Sequence, residues 1–171
     1  MKAEPLVGVV MGSDSDLPVV KDCLLILEEL EIPAEVRIMS AHRTPAQVME
    51  YATQAEKRGL QVLIAAAGGA AHLAGVLAAY TLLPVIGLPI LGRSLAGMDA
   101  LFSMVQMPPG IPVATIGVNN GRNAGLLAAQ ILSLNDPTIR ERLLEYRESL
   151  AQSVVDKDRR LQDEGFRGYS T

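Results

Sequence analysis

Tryptophan is absent from this chain, aromatic residues make up 4 % of it, and there are one cysteine and two histidines. Each shortage excludes something. With so few aromatics the core must be built from Ala, Val, Leu, Ile and Met, and a flavin would lack aromatic neighbours in the loops. The lone thiol, Cys23, leaves no internal disulfide framework and fits a reducing compartment, so the chain is expected in the cytoplasm. Cys23 falls in a helical pattern and reads as a buried spectator. An excess of positive charge is also missing. The net charge is −4, so no general attraction for nucleic acid is expected, and a phosphate must be held by a local trap. Long apolar runs are missing too, since Gly68-Gly69, His72, Pro84 and Pro89 cut the Ala-rich middle; no membrane span is expected. Met1-Lys2-Ala3-Glu4-Pro5 is too short, and carries an acid too early, to begin a secretory leader.

What remains is enough for one globular domain. The chain has 171 residues, 49 % hydrophobic and 20 % charged, so residues 1–171 are expected to fold around a full core. Short β-branched runs alternate with helical patterns. Strands are expected over Leu6–Met11, Ala34–Met39, Val62–Ala67, Val85–Leu88 and Pro112–Ile116. Helices are expected over Leu17–Leu30, Pro45–Arg58, Ala71–Tyr80, Met98–Val105 and Asn123–Leu134. Strands separated by helices imply right-handed crossovers and a parallel sheet covered on both faces. After Asn135-Asp136-Pro137 a helix is expected to about Asp163, with Ile139, Leu143, Tyr146, Leu150, Val154 and Leu161 on one side. It either covers its own domain or docks on a neighbouring subunit; Gly165–Thr171 reads as a tail. Met98, Met104 and Met107 read as core filler.

Helix starts fix where chemistry can occur. Thr44 is placed as an N-cap, Pro45 suits the first helical position, Gln47 would complete a capping box, and Gly59 suits the left-handed C-cap. In the first helix, Ser15 or Asp16 would cap, with Pro18 in the first turn. Two helix N-termini therefore lie just beyond two strand ends, where open parallel sheets bind ligands.

Three segments carry candidate chemistry. Gly12-Ser13-Asp14-Ser15-Asp16 follows the first strand. Its serines and the helix N–H groups suit an anion, and Asp16 could hold ribose hydroxyls; the same residues also serve as caps. It is neither a Walker loop nor a GxGxxG turn. Ser40-Ala41-His42-Arg43-Thr44-Pro45 adds a guanidinium able to grip a phosphate and an imidazole, the group that exchanges protons near neutrality. Ala65-Ala66-Ala67-Gly68-Gly69-Ala70-Ala71-His72 ends the third strand in tiny side chains, which open the backbone to a ligand or permit close helix–sheet packing. His72 could contact a ligand or cap a packing network.

Together these segments resemble class I 5-(carboxyamino)imidazole ribonucleotide mutases of purine biosynthesis. Gly68-Gly69-Ala70-Ala71-His72-Leu73, Ser103-Met104-Val105-Gln106-Met107-Pro108 and Gly110-Ile111-Pro112-Val113-Ala114-Thr115 continue the likeness to about Leu132. The resemblance implies a flavodoxin-like three-layer α/β/α sandwich with a central parallel sheet, assembled as a homo-octamer with sites near subunit contacts. It implies transfer of a carboxylate from the exocyclic nitrogen to carbon 4 of an aminoimidazole ribonucleotide, with no metal and no cofactor. Ser13, Asp16 and Arg43 would bind the ribonucleotide, with Ser15 and Ser40 near its phosphate. His42 would be the proton-transfer residue, and Ala67, Gly68 and Leu73 would wall the migrating carboxylate. Two positions depart from the family: Leu17 stands where Trp is frequent and Ala74 where Pro follows His-Leu. A direct carboxylase differs after its Ser-Ala-His, and Thr44-Pro45 favours the mutase. A non-catalytic receiver module would want an Asp where Ala66-Ala67-Gly68 end the third strand.

Overall fold

A computed structural model describes residues 4–170. Met1–Ala3, part of the segment read as no leader, and Thr171 lie outside that range.

The chain alternates strand and helix. Its strands are β1 (Val7–Met11), β2 (Ala34–Ile38), β3 (Val62–Gly68), β4 (Val85–Ile90) and β5 (Ala114–Thr115). Its helices are α1 (Leu17–Glu29), α2 (Pro45–Ala55), α3 (Leu73–Ala79), α4 (Met98–Val105), α5 (Gly121–Leu132) and α6 (Pro137–Gly168). All pairings are parallel and the order is β2-β1-β3-β4-β5. Order reverses between β1 and β3, so their C-terminal loops diverge and leave a crevice. Val7 pairs with Val62 and Met11 with Ala66, which brings Gly12 and Ala67 out at one level of the sheet edge.

Two cores sandwich the sheet. Val7, Val9, Met11, Ile64 and Leu88 pack with α1, α5 and the start of α6. Val10, Leu63, Ala65 and Ala67 pack on the other face with α2, α3 and α4. Strict alternation along β1 and β3 therefore feeds both layers, as a doubly covered parallel strand requires. Small residues set the spacing. A Cβ at Gly121 would collide with the Val19 carbonyl oxygen, and one at Gly125 with the Ile26 side chain, so α1 and α5 touch backbone to backbone.

Several expectations change. Full cover fails at β2, an edge strand paired only with β1, where Ile38 is 56 % exposed. β4 runs two residues further than expected, to Ile90, because Gly68 of the longer β3 offers it a partner. β5 shrinks to two residues next to Pro112, which has no N–H to give a ladder. α3 begins at Leu73, since Gly69 and Ala71 adopt positive φ (63° and 47°) in the preceding turn. Met104 is buried core and Met107 lies against Gly75, but Met98 is exposed.

Asp136 caps α6 through Thr138 N–H and Ile139 N–H. Ile139 and Leu143 are buried, and Arg142 donates to the Leu30 carbonyl and to Glu31. Beyond Leu150, which still flanks α5 in a shallow cleft, the helix leaves the domain. Residues 147–168 form about 33 Å of exposed helix, past the expected end at Asp163 and into the expected tail, bent where Gly165 turns to φ 67°. Leu150, Val154 and Phe166 stand open at 50 %, 65 % and 80 % exposure. Among the described residues no helix is long and apolar enough to cross a membrane.

Candidate active site

Loops after β1, β2, β3 and β4 surround a cavity of about 600 Å³, a size suited to a nucleotide. The ten residues expected to bind ligand or move protons all line it: Ser13, Ser15, Asp16, Ser40, His42, Arg43, Ala67, Gly68, His72 and Leu73. The departures do not: Ala74 is buried in the α3 layer and Leu17 packs on the α1 side of the core.

The first loop folds into a 3₁₀ turn over Asp14–Asp16. Ser13 Oγ accepts from Ser15 N–H at 3.3 Å and donates to Asp14, while Ser15 Oγ donates to Asp16 Oδ1 at 3.2 Å. Asp16 occupies the N-cap position of α1 but its side chain makes no capping bond there. Ser13 caps the preceding turn instead. Asp16 is the one buried charged residue among those described. Burial raises its carboxyl above the ordinary range and Asp14 adds to this, against the lowering effect of hydrogen bonds from Ser15 and the Ser13 backbone. A buried acid with no ion pair among the described residues, facing a cavity, costs stability, and its polar atoms suit a ligand's hydroxyls.

The second loop is locked by Thr44. Its hydroxyl accepts from Ser40 N–H at 2.9 Å and donates to the Ser40 carbonyl at 3.2 Å. That hydroxyl is consumed in closing the turn, so the expected capping box with Gln47 does not form, although Thr44 keeps the N-cap position. The closed turn presents His42 and Arg43 outward. Arg43 Nη2 donates to the Gly12 carbonyl at 2.7 Å and its Nε to Ser40 Oγ at 3.3 Å. These bonds bridge the β1 and β2 loops and hold the guanidinium over the cavity, with a further donor edge free for an anion.

The third loop delivers His72 to the N-cap position of α3, where its ring makes no capping bond. Instead His72 Nδ1 lies 2.8 Å from His42 Nε2, with the rings edge-on at 80°. Ala67 and Gly68 form the adjacent wall, and a Cβ on Gly68 would press on the Ile90 carbonyl oxygen at 3.2 Å. Ile90, Leu91, Gly92 and Arg93 complete the lining and were not expected from the sequence. The signal for them lay in the topology: β4 neighbours β3, so its trailing loop must reach the same crevice.

The fold and this cavity together define a flavodoxin-like α/β protein with its ligand site at the switch point. Comparison with known proteins narrows this. The family model for AIR carboxylase matches residues 6–153. An N5-carboxyaminoimidazole ribonucleotide mutase of Pyrococcus horikoshii is 54 % identical over 99 % of this chain and 96 % of its own. One of Synechocystis sp. is 53 % identical over 96 % of this chain and 94 % of its own. The crystal structure of Treponema denticola PurE superposes with a TM-score of 0.85 at 34 % identity, covering 92 % of this chain and 98 % of that one. The chain belongs to the AIR carboxylase family.

Proposed function

We propose that the protein is an isomerase, a mutase converting 5-(carboxyamino)imidazole ribonucleotide to 4-carboxy-5-aminoimidazole ribonucleotide in de novo purine (IMP) biosynthesis. One observation carries the reading. Loops far apart in the chain bring the His42–His72 pair, the Arg43 guanidinium tied to the Gly12 carbonyl, and the uncharged Ala67–Gly68 wall around one cavity. Relatives that span nearly the whole chain carry the mutase name.

The assignments follow from the chemistry each position offers. Arg43 with Ser13, Ser15 and Ser40 holds the phosphate end, and Asp16 holds the ribose. Anchoring that end fixes the ring, so remote binding energy is spent on position. The N–CO₂ bond of the carbamate breaks, releasing carbon dioxide, and the nitrogen takes one proton. Carbon 4 of the electron-rich ring then attacks the trapped carbon dioxide and loses its own proton, restoring aromaticity. One proton is given and one is recovered, so a single imidazole, His42, balances both steps. Ala67, Gly68 and Leu73 keep carbon dioxide from escaping, and His72 contacts both His42 and ligand.

The protein is further read as one domain, acting in the cytoplasm as a homo-octamer, with residues 137–163 of α6 touching neighbouring subunits. The exposed apolar side chains of α6 support this, since an isolated monomer gains nothing by extending them into water. Light scattering on the full chain, and on a chain ending after Arg147, tests it; the same number of chains per particle in both would refute the α6 contact.

An absorbance assay supplied with the carbamate, without ATP or added metal, tests the activity. Turnover to the ring-carboxylated nucleotide is expected. Turnover of aminoimidazole ribonucleotide with bicarbonate, and none with the carbamate, would overturn the mutase reading.

A further inference from the structure

Two arginines line the cavity, one on each side of the switch point. Arg43 follows β2 and is tied to the Gly12 carbonyl and Ser40. Arg93 follows β4 and is exposed. Among the described residues Arg93 has no ion pair, although Asp99, in the first turn of α4, has its Oδ2 3.8 Å from where a Cβ on Gly92 would lie. A guanidinium at a ligand cavity with no carboxylate of its own is available to an anion.

The backbone beneath Arg93 is anchored. Leu91 N–H donates to Asn119 Oδ1 at 2.8 Å, and Asn119 N–H donates back to the Pro89 carbonyl at 2.9 Å. Asn119 accepts a positive φ of 56° to make both bonds. Gly92 comes close to the β3 loop: a Cβ there would lie 3.8 Å from Gly69 N. Arg93 is therefore carried beside the Ala67–Gly68 wall, and in the sheet order β3 stands between its strand and β1, whose loop carries Ser13, Ser15 and Asp16.

The ligand has two anionic ends, a phosphate and a carboxylate. Arg43 and the serines suit the first. The Ala67–Gly68 wall carries no charge, and a carboxylate resting there needs a positive neighbour. We infer that Arg93 is a specificity-determining residue whose guanidinium attracts the carboxylate-bearing end of the nucleotide, so that carboxylated ligands bind in preference to bare aminoimidazole ribonucleotide. The inference rests on the proposed mutase reading.

The test measures dissociation constants of two ligands, 4-carboxy-5-aminoimidazole ribonucleotide and aminoimidazole ribonucleotide, for the full chain and for Arg93→Met and Arg93→Lys. Arg93→Met is expected to weaken the carboxylated ligand about tenfold, the scale of one charged hydrogen bond, and to change the bare ligand by less than about twofold. Arg93→Lys, which keeps the charge, is expected to recover most of the preference. Equal losses for both ligands would place Arg93 on the phosphate or in general steering, and no loss for either would leave it idle; both overturn the inference. If the unaltered chain binds neither nucleotide, the mutase reading fails and this inference with it, a result distinct from failure of the variant alone.

Discussion

His42 Nε2 and His72 Nδ1 face each other at 2.8 Å, although thirty residues separate them in the chain. One nitrogen must donate and the other accept, because two N–H groups cannot point at each other at that distance. The pair thus shares one proton across the gap, and each ring sets the tautomer of the other.

His42→Asn should lower turnover by about 10²- to 10⁴-fold, the worth of general acid–base help, while nucleotide affinity stays near that of the unaltered chain. His72→Asn should lower kcat by a smaller factor and change the pH profile, since His42 would keep its ring but lose its tautomer partner. Steady-state kinetics across pH, with ligand titration, checks both. Near-normal turnover in His42→Asn would remove it from the proton step.

Arg43→Ala should weaken nucleotide binding about 10- to 100-fold, as a charged hydrogen-bonding group is lost. Arg43→Lys should recover only part, because an ammonium cannot span Gly12, Ser40 and a phosphate together. Calorimetric titration reads both variants, and an unchanged affinity in Arg43→Ala would contradict the phosphate assignment.

Asp16→Asn should raise the melting temperature at pH 7 while weakening nucleotide binding. Burial lifts the folded-state pKa of Asp16 above the ordinary 3.8, so the folded state holds its proton more tightly than the unfolded chain. The cost of ionising it builds as pH rises from 3.8 through the folded-state pKa and is complete above that. The gain from Asn should therefore vanish on acidification below about 3.8. Melting curves at several pH values test the sign; destabilisation at pH 7 would show that the charge is satisfied in the fold.

Gly121→Ala should destabilise by about 1–3 kcal/mol, because the added methyl meets the Val19 backbone and α1 must move. Urea titration measures this, and because Val19 lies in the first turn of α1, directly after the Asp16 that lines the cavity, nucleotide affinity should fall along with stability. Stability equal to the parent would show that the two helices separate at little cost.

Cys23 is fully buried, and burial pushes its thiol up to about 12. Thiolate, not thiol, reacts with disulfide reagents, so the native protein should stay unlabelled at pH 8 and label at once in denaturant. Fast labelling of the native chain would mean that α1 opens locally.

Much of this was written in short stretches of residues. The alternation of apolar strands with helical patterns was legible because each element's period depends only on its own side chains. Gly59 as the end of the second helical stretch was legible too, since its φ of 87° suits a residue without Cβ. Thr44 shows the limit. Its hydroxyl had two possible partners, the helix start or the Ser40 backbone, and local spacing could not choose between them. The exposure of Ile38 and of α6 was hidden for a related reason, because an apolar residue declares a preference for cover but not whether its neighbours supply it.

Sequence alone determined the layered α/β class and three loops rich in serine, histidine, arginine and glycine, because turns and caps are chosen over a few residues. Only the tertiary structure decided that His42 meets His72, that Arg43 crosses to Gly12, and that Arg93 joins the same cavity. Those meetings are made by parallel pairing between strands distant in the chain, where register and sheet order, not local spacing, set which loops become neighbours.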